Sequence, residues 1–440
     1  MQIAVIGGGL MGTSLAYFLS QQGQQVTLLE QGTDIGSLHR FIHLDENLSI
    51  PRYQHYLLPG DRHVLSLIRQ LGLGNDLNFY PAHTGFVSNG HIQNTTSPWD
   101  VLRFAHLGMD DRLLLINTLL RARLTNDWRS LDKIPVKDWL IQVGGRENFE
   151  RIWAPLLEAK FDFDYDNVPA TFMWSWLNRM SKGRNIPQFR TQIGYLRKGI
   201  RSLIQVMTDE IEALDGVIQT ETRVREIELS GQSLGAVRTH LGILQFDAVI
   251  AALPTPDFAR LLLTADETYL ESLSDARYLG LVCPALIVDR PLSNFWTLNM
   301  SDPSSPFSTI IEQPHPDHPN LHIVYLPKYT APDHDWMGVP DAAIQEAWGT
   351  RLRQLFPALK SENIKHFVVN RSRYVEPVHF LNGASHLSPL TTPYEGLFMV
   401  NAGQVYPQLP TADAIVAHAE HAARMIIEWS KQRSAGRVAA

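Results

Sequence analysis

MQIAVIGGGLMG, residues 1–12, decides how the rest of this chain is read. Ile3, Val5 and Ile6 favour extended backbone and predict a short buried strand, and residues 10–20 follow with helical spacing. Between them Gly7, Gly9 and Gly12 hold the G-x-G-x-x-G spacing. Each glycine meets a physical need. The first allows a tight strand-to-helix turn, the second lets a pyrophosphate approach the backbone, and the third lets helix and strand pack closely. The helix N-terminus, with Leu10 and Met11 in its first turn, offers free N–H groups and a partial positive charge to phosphates. A second β-run, residues 25–29, ends in Glu30, where an acid meets a ribose hydroxyl, with Gln31 beside it. The pattern predicts a bound dinucleotide. An acid rather than an arginine at that point favours FAD or NAD over NADP.

At 440 residues the chain suits two or three domains. Its net charge of -7 and pI near 6.2 argue against general nucleic-acid binding. The single cysteine, Cys283, excludes an intramolecular disulfide and a cysteine metal cluster, and fits a reducing compartment. No signal peptide is expected ahead of the first strand. The longest apolar stretch, residues 113–120, is too short to span a bilayer and is bounded by Asp110, Asp111 and Arg121. It reads as a buried helix. The expectation is a soluble, cytoplasmic, globular protein acting on a small molecule.

Residues 64–71 have helical apolar spacing and stop at Gly72. A helical region is predicted from residue 99 to about 179, and an amphipathic helix over 203–214. GVIQTETRVREIEL and GILQFDAVIAALP each read as two strands, and 279–329 alternates strand-like runs with Pro and Asn turns. GLFMVNAG is a buried strand, and a long helix over 411–431 follows.

These pieces resemble the flavin-dependent amine oxidase and protoporphyrinogen oxidase-like superfamily. The resemblance rests on the three glycines with Glu30, on TRV (222–224), on VIAALP (249–254), and on the closing strand and helix. A closer likeness is to uncharacterised bacterial members with stretches such as RYQHYLLPGD, WAPLLEAKF and GYLRKG. The resemblance implies an α/β fold: a Rossmann-like FAD-binding domain of the GR2 type, interleaved with a mixed-sheet substrate domain and a helical region. The segments are 1–75, 191–270 and 391–440 for the FAD domain, 76–190 for the helical and substrate region, and 271–390 for the substrate sheet. It also implies that the Val224 backbone touches the adenine, and that Arg40 approaches the flavin or its pyrophosphate. Ala252 lies in the VIAALP contact, and Asn401, Ala402 and Gln404 lie beside the ribityl chain. Two departures stand out. The family's Gly-Gly pair after the ribose acid is here Gly36-Ser37, and its acidic residue on the closing strand is replaced by Asn401-Ala402-Gly403-Gln404.

By the same resemblance, RYQHY brings Arg52, His55 and Tyr56 near the flavin, WAPLLEAKF brings Lys160, and SRYVEP adds Arg373 and Tyr374. His55, whose ordinary pKa lies near neutrality, is the candidate for proton transfer, with packing beneath the cofactor as the alternative. Lys160 and Arg373 would orient substrate or stabilise anionic reduced flavin. The implied activity is an FAD-dependent oxidoreductase that removes a hydride from an organic substrate. A flavin-dependent sugar-nucleotide mutase or isomerase and a non-catalytic flavin-binding protein are the alternatives.

Other patterns carry less. KFDFDYDN (160–167) has the alternating acids of a calcium loop, Asp162, Asp164 and Asp166. Its sixth position is Asn167 rather than Gly and its twelfth Met173 rather than Glu, so no metal is expected. His418 and His421, and His315, His318 and His322, read as solvated surface histidines, and Cys283 as buried. Between Asp166 and Asp209 there is no acidic residue, while Arg179, Lys182, Arg184, Arg190, Arg197, Lys198 and Arg201 all fall inside. Trp174, Trp176, Phe189 and Tyr195 are interleaved with them. This reads as an anion-facing surface with aromatic walls, in which Arg184 and Arg190 bind substrate. A solvated basic face and a peripheral membrane-surface patch are the competing readings.

Overall fold

The computed structural model describes residues 1–88, 90–103, 107–161, 165–182, 184–185, 190–302 and 305–439. Asp162, Asp164 and Phe189 lie outside the described residues, as do the side chains of Lys182, Arg184 and Arg190.

The opening stretch folds into β1 (Gln2–Ile6), α1 (Leu10–Ser20) and β2 (Gln25–Leu29). β1 and β2 pair in parallel, Ile3 opposite Val26 and Val5 opposite Leu28. Three distant segments complete a five-stranded parallel sheet in the order Val217–Gln219, β2, β1, Ala248–Ala251, Leu397–Met399. Ile3–Ile6 and Ala248–Ala251 at its centre are buried throughout because both faces are covered. On one face lie α1, Arg62–Gln70, Gly199–Ala213 and the closing helix Ala412–Ala439, sharing a core of Leu15, Leu19, Ile68, Leu203, Met207 and Ile426. On the other lies a three-stranded antiparallel sheet of Val224–Ser230, Ser233–Thr239 and Ile243–Leu244.

A second, mixed sheet of eight strands is built around Arg277–Val288, which pairs antiparallel with the long strand Ile364–Val378. An earlier hairpin, Thr84–Ser88 and His91–Asn94, joins this sheet through a parallel pairing with Thr297–Met300. Helices between Pro98–Leu102 and Ala170–Lys182 make a separate core of Trp139, Phe149, Trp153, Leu157 and Met173, onto which Leu279 of the second sheet packs. The α/β architecture expected from the sequence is the one observed.

Two expectations fail. The apolar run 113–120 lies in the helix Met109–Leu124, which buries only Leu115, Thr118 and Ala122. Leu113 and Leu120 remain 55% and 53% exposed, because the leucines occupy more than one face and the core covers one. His315 is buried rather than solvated, its Nε2 3.2 Å from the Ser49 carbonyl oxygen, and His418 is half-buried against Gln404. Among the described side chains of the acid-free segment, three arginines meet acids from elsewhere in the chain. Arg179 pairs with Asp61, Arg201 with Asp34 and Arg197 with Asp76, so long-range acids neutralise what the local sequence lacks.

Burial also sets an acid limit on the fold. It lowers the imidazoles of His55, His379 and His418 to about 4, and that of His39 well below its ordinary value. Unfolded, these groups take up a proton near 6.5. Through the window from 6.5 down to about 4 the unfolded chain therefore binds more protons, and stability falls as pH is lowered. Carboxyls raised by burial, Glu312 to about 7 and also Glu158, Asp257 and Asp413, work in the opposite sense, while His315 and His322 are lowered like the other four histidines. The melting temperature followed by circular dichroism should drop steeply between pH 6.5 and 4. A flat profile across that window would contradict the burial of these histidines.

Candidate active site

The dinucleotide turn is built by close backbone approach. Gly7 has φ +108°, and a Cβ placed on Gly12 would lie 1.9 Å from the Gly7 carbonyl oxygen. Gly9 is the N-cap of α1 and supplies no side chain to it. The first donor closed within the helix is Thr13 N–H onto the Gly9 carbonyl, 2.9 Å, so the amides ahead of it are left for an anion. Above Gly9 the space is open, and a Cβ there would meet nothing nearer than Ser37 Cβ at 3.4 Å.

Glu30 is buried and fixes this turn. Its Oε2 accepts from Gly8 N–H at 2.8 Å, and its Oε1 from Gly32 N–H at 2.7 Å and from Arg40 Nη2 at 3.1 Å. The Arg40 guanidinium lies over Gly32, where a Cβ would collide with it, and also donates to the Asp34 carbonyl. Gln31 beside Glu30 is exposed. Thr222 N–H donates to the Glu30 carbonyl at 2.8 Å, which sets Val224 at the start of its strand next to β2. Gly36 and Ser37 have φ +127° and +50°. Ser37 thus keeps a left-handed backbone at the position where the family places glycine.

A cavity of about 570 Å³ opens from this turn. Gly9, Leu10, Met11, Ser37, Ala252, Asn401 and Ala402 line one end. Asn401 accepts from Gly403 N–H at 2.9 Å and donates to Thr255 Oγ1 at 3.1 Å, so its amide shapes the wall. Gln404 is absent from the wall. Its Oε1 accepts from Asn401 N–H at 2.9 Å, and its Nε2 donates to the Met399 and Pro389 carbonyls at 3.0 Å, so its side chain holds the closing turn together. The carboxylate the family uses there has no replacement in Gln404.

The far end of the cavity is aromatic. Tyr53 and Tyr56, Trp153 and Leu156, Phe172 and Trp176, Tyr278, Tyr329 and Tyr374 come from six separate stretches of chain. His39 and His55 stack with ring centroids 4.1 Å apart. His55 Nδ1–H donates to the Tyr53 carbonyl at 2.9 Å, and burial keeps both imidazoles neutral at physiological pH. Lys160 Nζ lies 2.5 Å from Glu376 Oε2 and 3.6 Å from the Tyr329 ring centroid. Burial alone would lower the lysine, but Glu376 and Tyr329 outweigh it and hold the ammonium above its usual range. Arg179 donates to Asp61 Oδ2 at 2.9 Å and to Tyr56 Oη at 3.0 Å. Tyr374 Oη accepts from Arg260 at 2.7 Å.

Among the residues expected near the flavin from the substrate side, His55, Tyr56, Lys160 and Tyr374 share this cavity. Arg52 does not; it donates to the Arg371 carbonyl at 2.7 Å and lies against Tyr53. Arg373 is exposed and also off the wall. Tyr374, Val375 and Glu376 of the same SRYVEP stretch all reach the wall, and Glu376 is the partner of Lys160 there. Among the described residues no group of three or more His, Cys, Asp or Glu could hold a metal ion.

Residues 12–426 match the flavin containing amine oxidoreductase family. The chain belongs to that family. FAD is its cofactor, and the turn, the open space over Gly9 and the free first-turn amides fit it. The zeta-carotene desaturase of Zea mays is 27% identical over 307 residues, covering 60% of this chain and 51% of that protein. The chain thus spans about half the length of that relative. The 15-cis-phytoene desaturase of Arabidopsis thaliana is 21% identical over 466 residues, covering 97% and 80% of the two chains. In fold, an oxidoreductase from Methanosarcina mazei superposes with a TM-score of 0.75 at 16% identity, covering 97% of this chain and 100% of that one.

Two substitutions test the cofactor end of this flavin-family site. Gly9→Val fills space rather than meeting backbone, so the protein should fold with the melting temperature of the flavin-free wild type and lose its visible flavin absorbance. A folded variant that keeps a full flavin complement would move the cofactor elsewhere. Ser37→Gly removes a left-handed serine and should stabilise the protein by about 1 kcal/mol in denaturant titration. An unchanged or lower midpoint would mean that the serine side chain earns its strained backbone.

Proposed function

We propose that this flavin-family protein is an FAD-dependent dehydrogenase that introduces a double bond into a neutral, lipophilic substrate. The pairing of charge in the cavity wall carries the reading. The wall contains three ionised side chains, Lys160, Arg179 and Glu376. Lys160 and Glu376 neutralise each other, and Arg179 is held by Asp61. The described wall therefore offers a substrate aromatic and aliphatic surface with no spare charge, which suits neither a sugar pyrophosphate nor an anion. The curated relatives named as carotene and phytoene desaturases support the same class.

Bound FAD supplies the two-electron oxidation. The chain supplies the rest. Tyr56, Trp153, Trp176 and Tyr374 clamp the substrate and exclude water. His55 stays neutral with Nδ1–H committed to Tyr53, which leaves Nε2 as the acceptor for the proton lost beside the departing hydride. Lys160 is kept charged by Glu376 and orients the wall around Tyr329.

Anaerobic mixing of the flavin-loaded protein with a detergent-dispersed neutral polyene should bleach the flavin, and a short polyamine should not. The rate should be independent of ionic strength, because no free charge attracts the substrate. Bleaching by the polyamine alone, or a steep loss of rate with salt, would overturn the neutral-substrate reading.

A further inference from the structure

The helix Met109–Leu124 carries one more apolar row than the core uses. Leu115, Thr118 and Ala122 pack inward. Met109, Leu113, Leu120 and Leu124 are all exposed, Leu124 to 73%. Their spacing of four, seven and four residues sets them in one line along the helix. Leu114 flanks the line, and Trp99, also exposed, stands on the short helix Pro98–Leu102 that packs beside it. Scattered exposed leucines are ordinary, but a contiguous row with a tryptophan marks a contact surface.

The occupant follows from size and charge. The row provides six side chains with Trp99, about a quarter of the ~20–30 that each side of a stable protein interface uses. A second protein would find too little to hold. A lipid layer needs no complementary shape, and takes up an apolar row to the depth of the headgroup–acyl boundary. Asp110 and Asp111 lie at the N-terminal end of the row. Exposed Arg121, Arg123 and Arg129 gather at the other end around Leu124, with Asp127 the one acid among them, which suits anionic headgroups there. The same helix packs against Ala170–Lys182, which supplies Phe172, Met173 and Trp176 to the cavity wall. Lipid seated on the row would be separated from the cavity by this helix and by Ala170–Lys182. Among the described residues no helix is long and apolar enough to cross a membrane, so the contact is peripheral.

We propose that the exposed row of Met109–Leu124 docks this protein onto an anionic lipid surface, from which a lipophilic substrate reaches the cavity. The docking stands on the row itself; only its purpose rests on the neutral-substrate reading.

The test is co-sedimentation of the flavin-loaded full chain with vesicles of phosphatidylcholine and phosphatidylglycerol, and of phosphatidylcholine alone. Wild-type protein should pellet with the mixed vesicles and more weakly with the neutral ones. Leu113→Glu with Leu120→Glu should lower the partition coefficient roughly tenfold or more, since two apolar side chains leave the acyl boundary. Leu113→Ser with Leu120→Ser, which adds no charge, should lose binding to both vesicle types. Both pairs face solvent, so flavin content and melting temperature should be retained. Wild-type protein left in the supernatant with both vesicle types would overturn the proposal, as would serine variants that bind like wild type. Lipid-free self-association of the wild type, abolished by the same substitutions, would assign the row to a second copy of the chain instead. A failed polyene assay with intact vesicle binding would sink the substrate reading and leave the docking in place.

Discussion

Everything in this molecule is arranged around one contact that permits no side chain. α1 crosses the end of β1 so closely that a Cβ on Gly12 would overlap the Gly7 carbonyl, and would press on Ala252 of the neighbouring segment as well. That closeness aims the first turn of α1 into the cavity rather than over the sheet. It also brings the Gly8 amide to Glu30, so the acid at the end of β2 and the helix N-terminus are fixed by a single short turn. The cavity begins there because the backbone, having no side chains, leaves room for one.

The charges around the cavity play a different part. Lys160 and Glu376 join the helical region to the second sheet, and Arg179 and Asp61 join it to the loop leading into Arg62–Gln70. Taking such pairs out of water costs desolvation that their attraction only partly returns, so their main effect is on geometry. Each fixes how one region sits against another, and removal of one partner would strand a buried charge. Because both pairs close on themselves, the cavity they border is electrostatically quiet although it contains three ionised groups. The stacked imidazoles of His39 and His55 fit the same pattern, since burial keeps both neutral in the resting site.

The sequence was legible where the physics is local. Gly7, Gly9, Gly12 and Glu30 lie within one supersecondary unit, and their spacing alone implies the turn, the helix and the parallel pairing. What escaped were interactions between distant positions. Lys160 and Glu376 are 216 residues apart and Arg179 and Asp61 118, so neither pairing can be read from the local sequence around the basic residue. The leucines of 113–120 misled for a related reason: their number says the helix is apolar, but only tertiary packing says which face finds a partner. His315 was misread because its burial depends on a carbonyl from a strand 266 residues earlier. At Gln404 an amide looked able to replace a carboxylate, yet its hydrogen bonds are taken by the turn that presents it.

The five-stranded sheet draws its strands from residues 2–6, 25–29, 217–219, 248–251 and 397–399, so chain order and spatial order are unrelated. During synthesis the first βαβ unit leaves the ribosome with β1 and β2 both missing their outer neighbours. At ~5–20 residues per second, the edge strand Leu397–Met399 emerges on the order of half a minute later. The cradle for the cofactor is thus finished last, although its fingerprint is translated first. The nascent chain must keep two unpaired strand edges from finding the wrong partner until the closing strand and helix arrive, and cofactor capture becomes an event of the completed polypeptide.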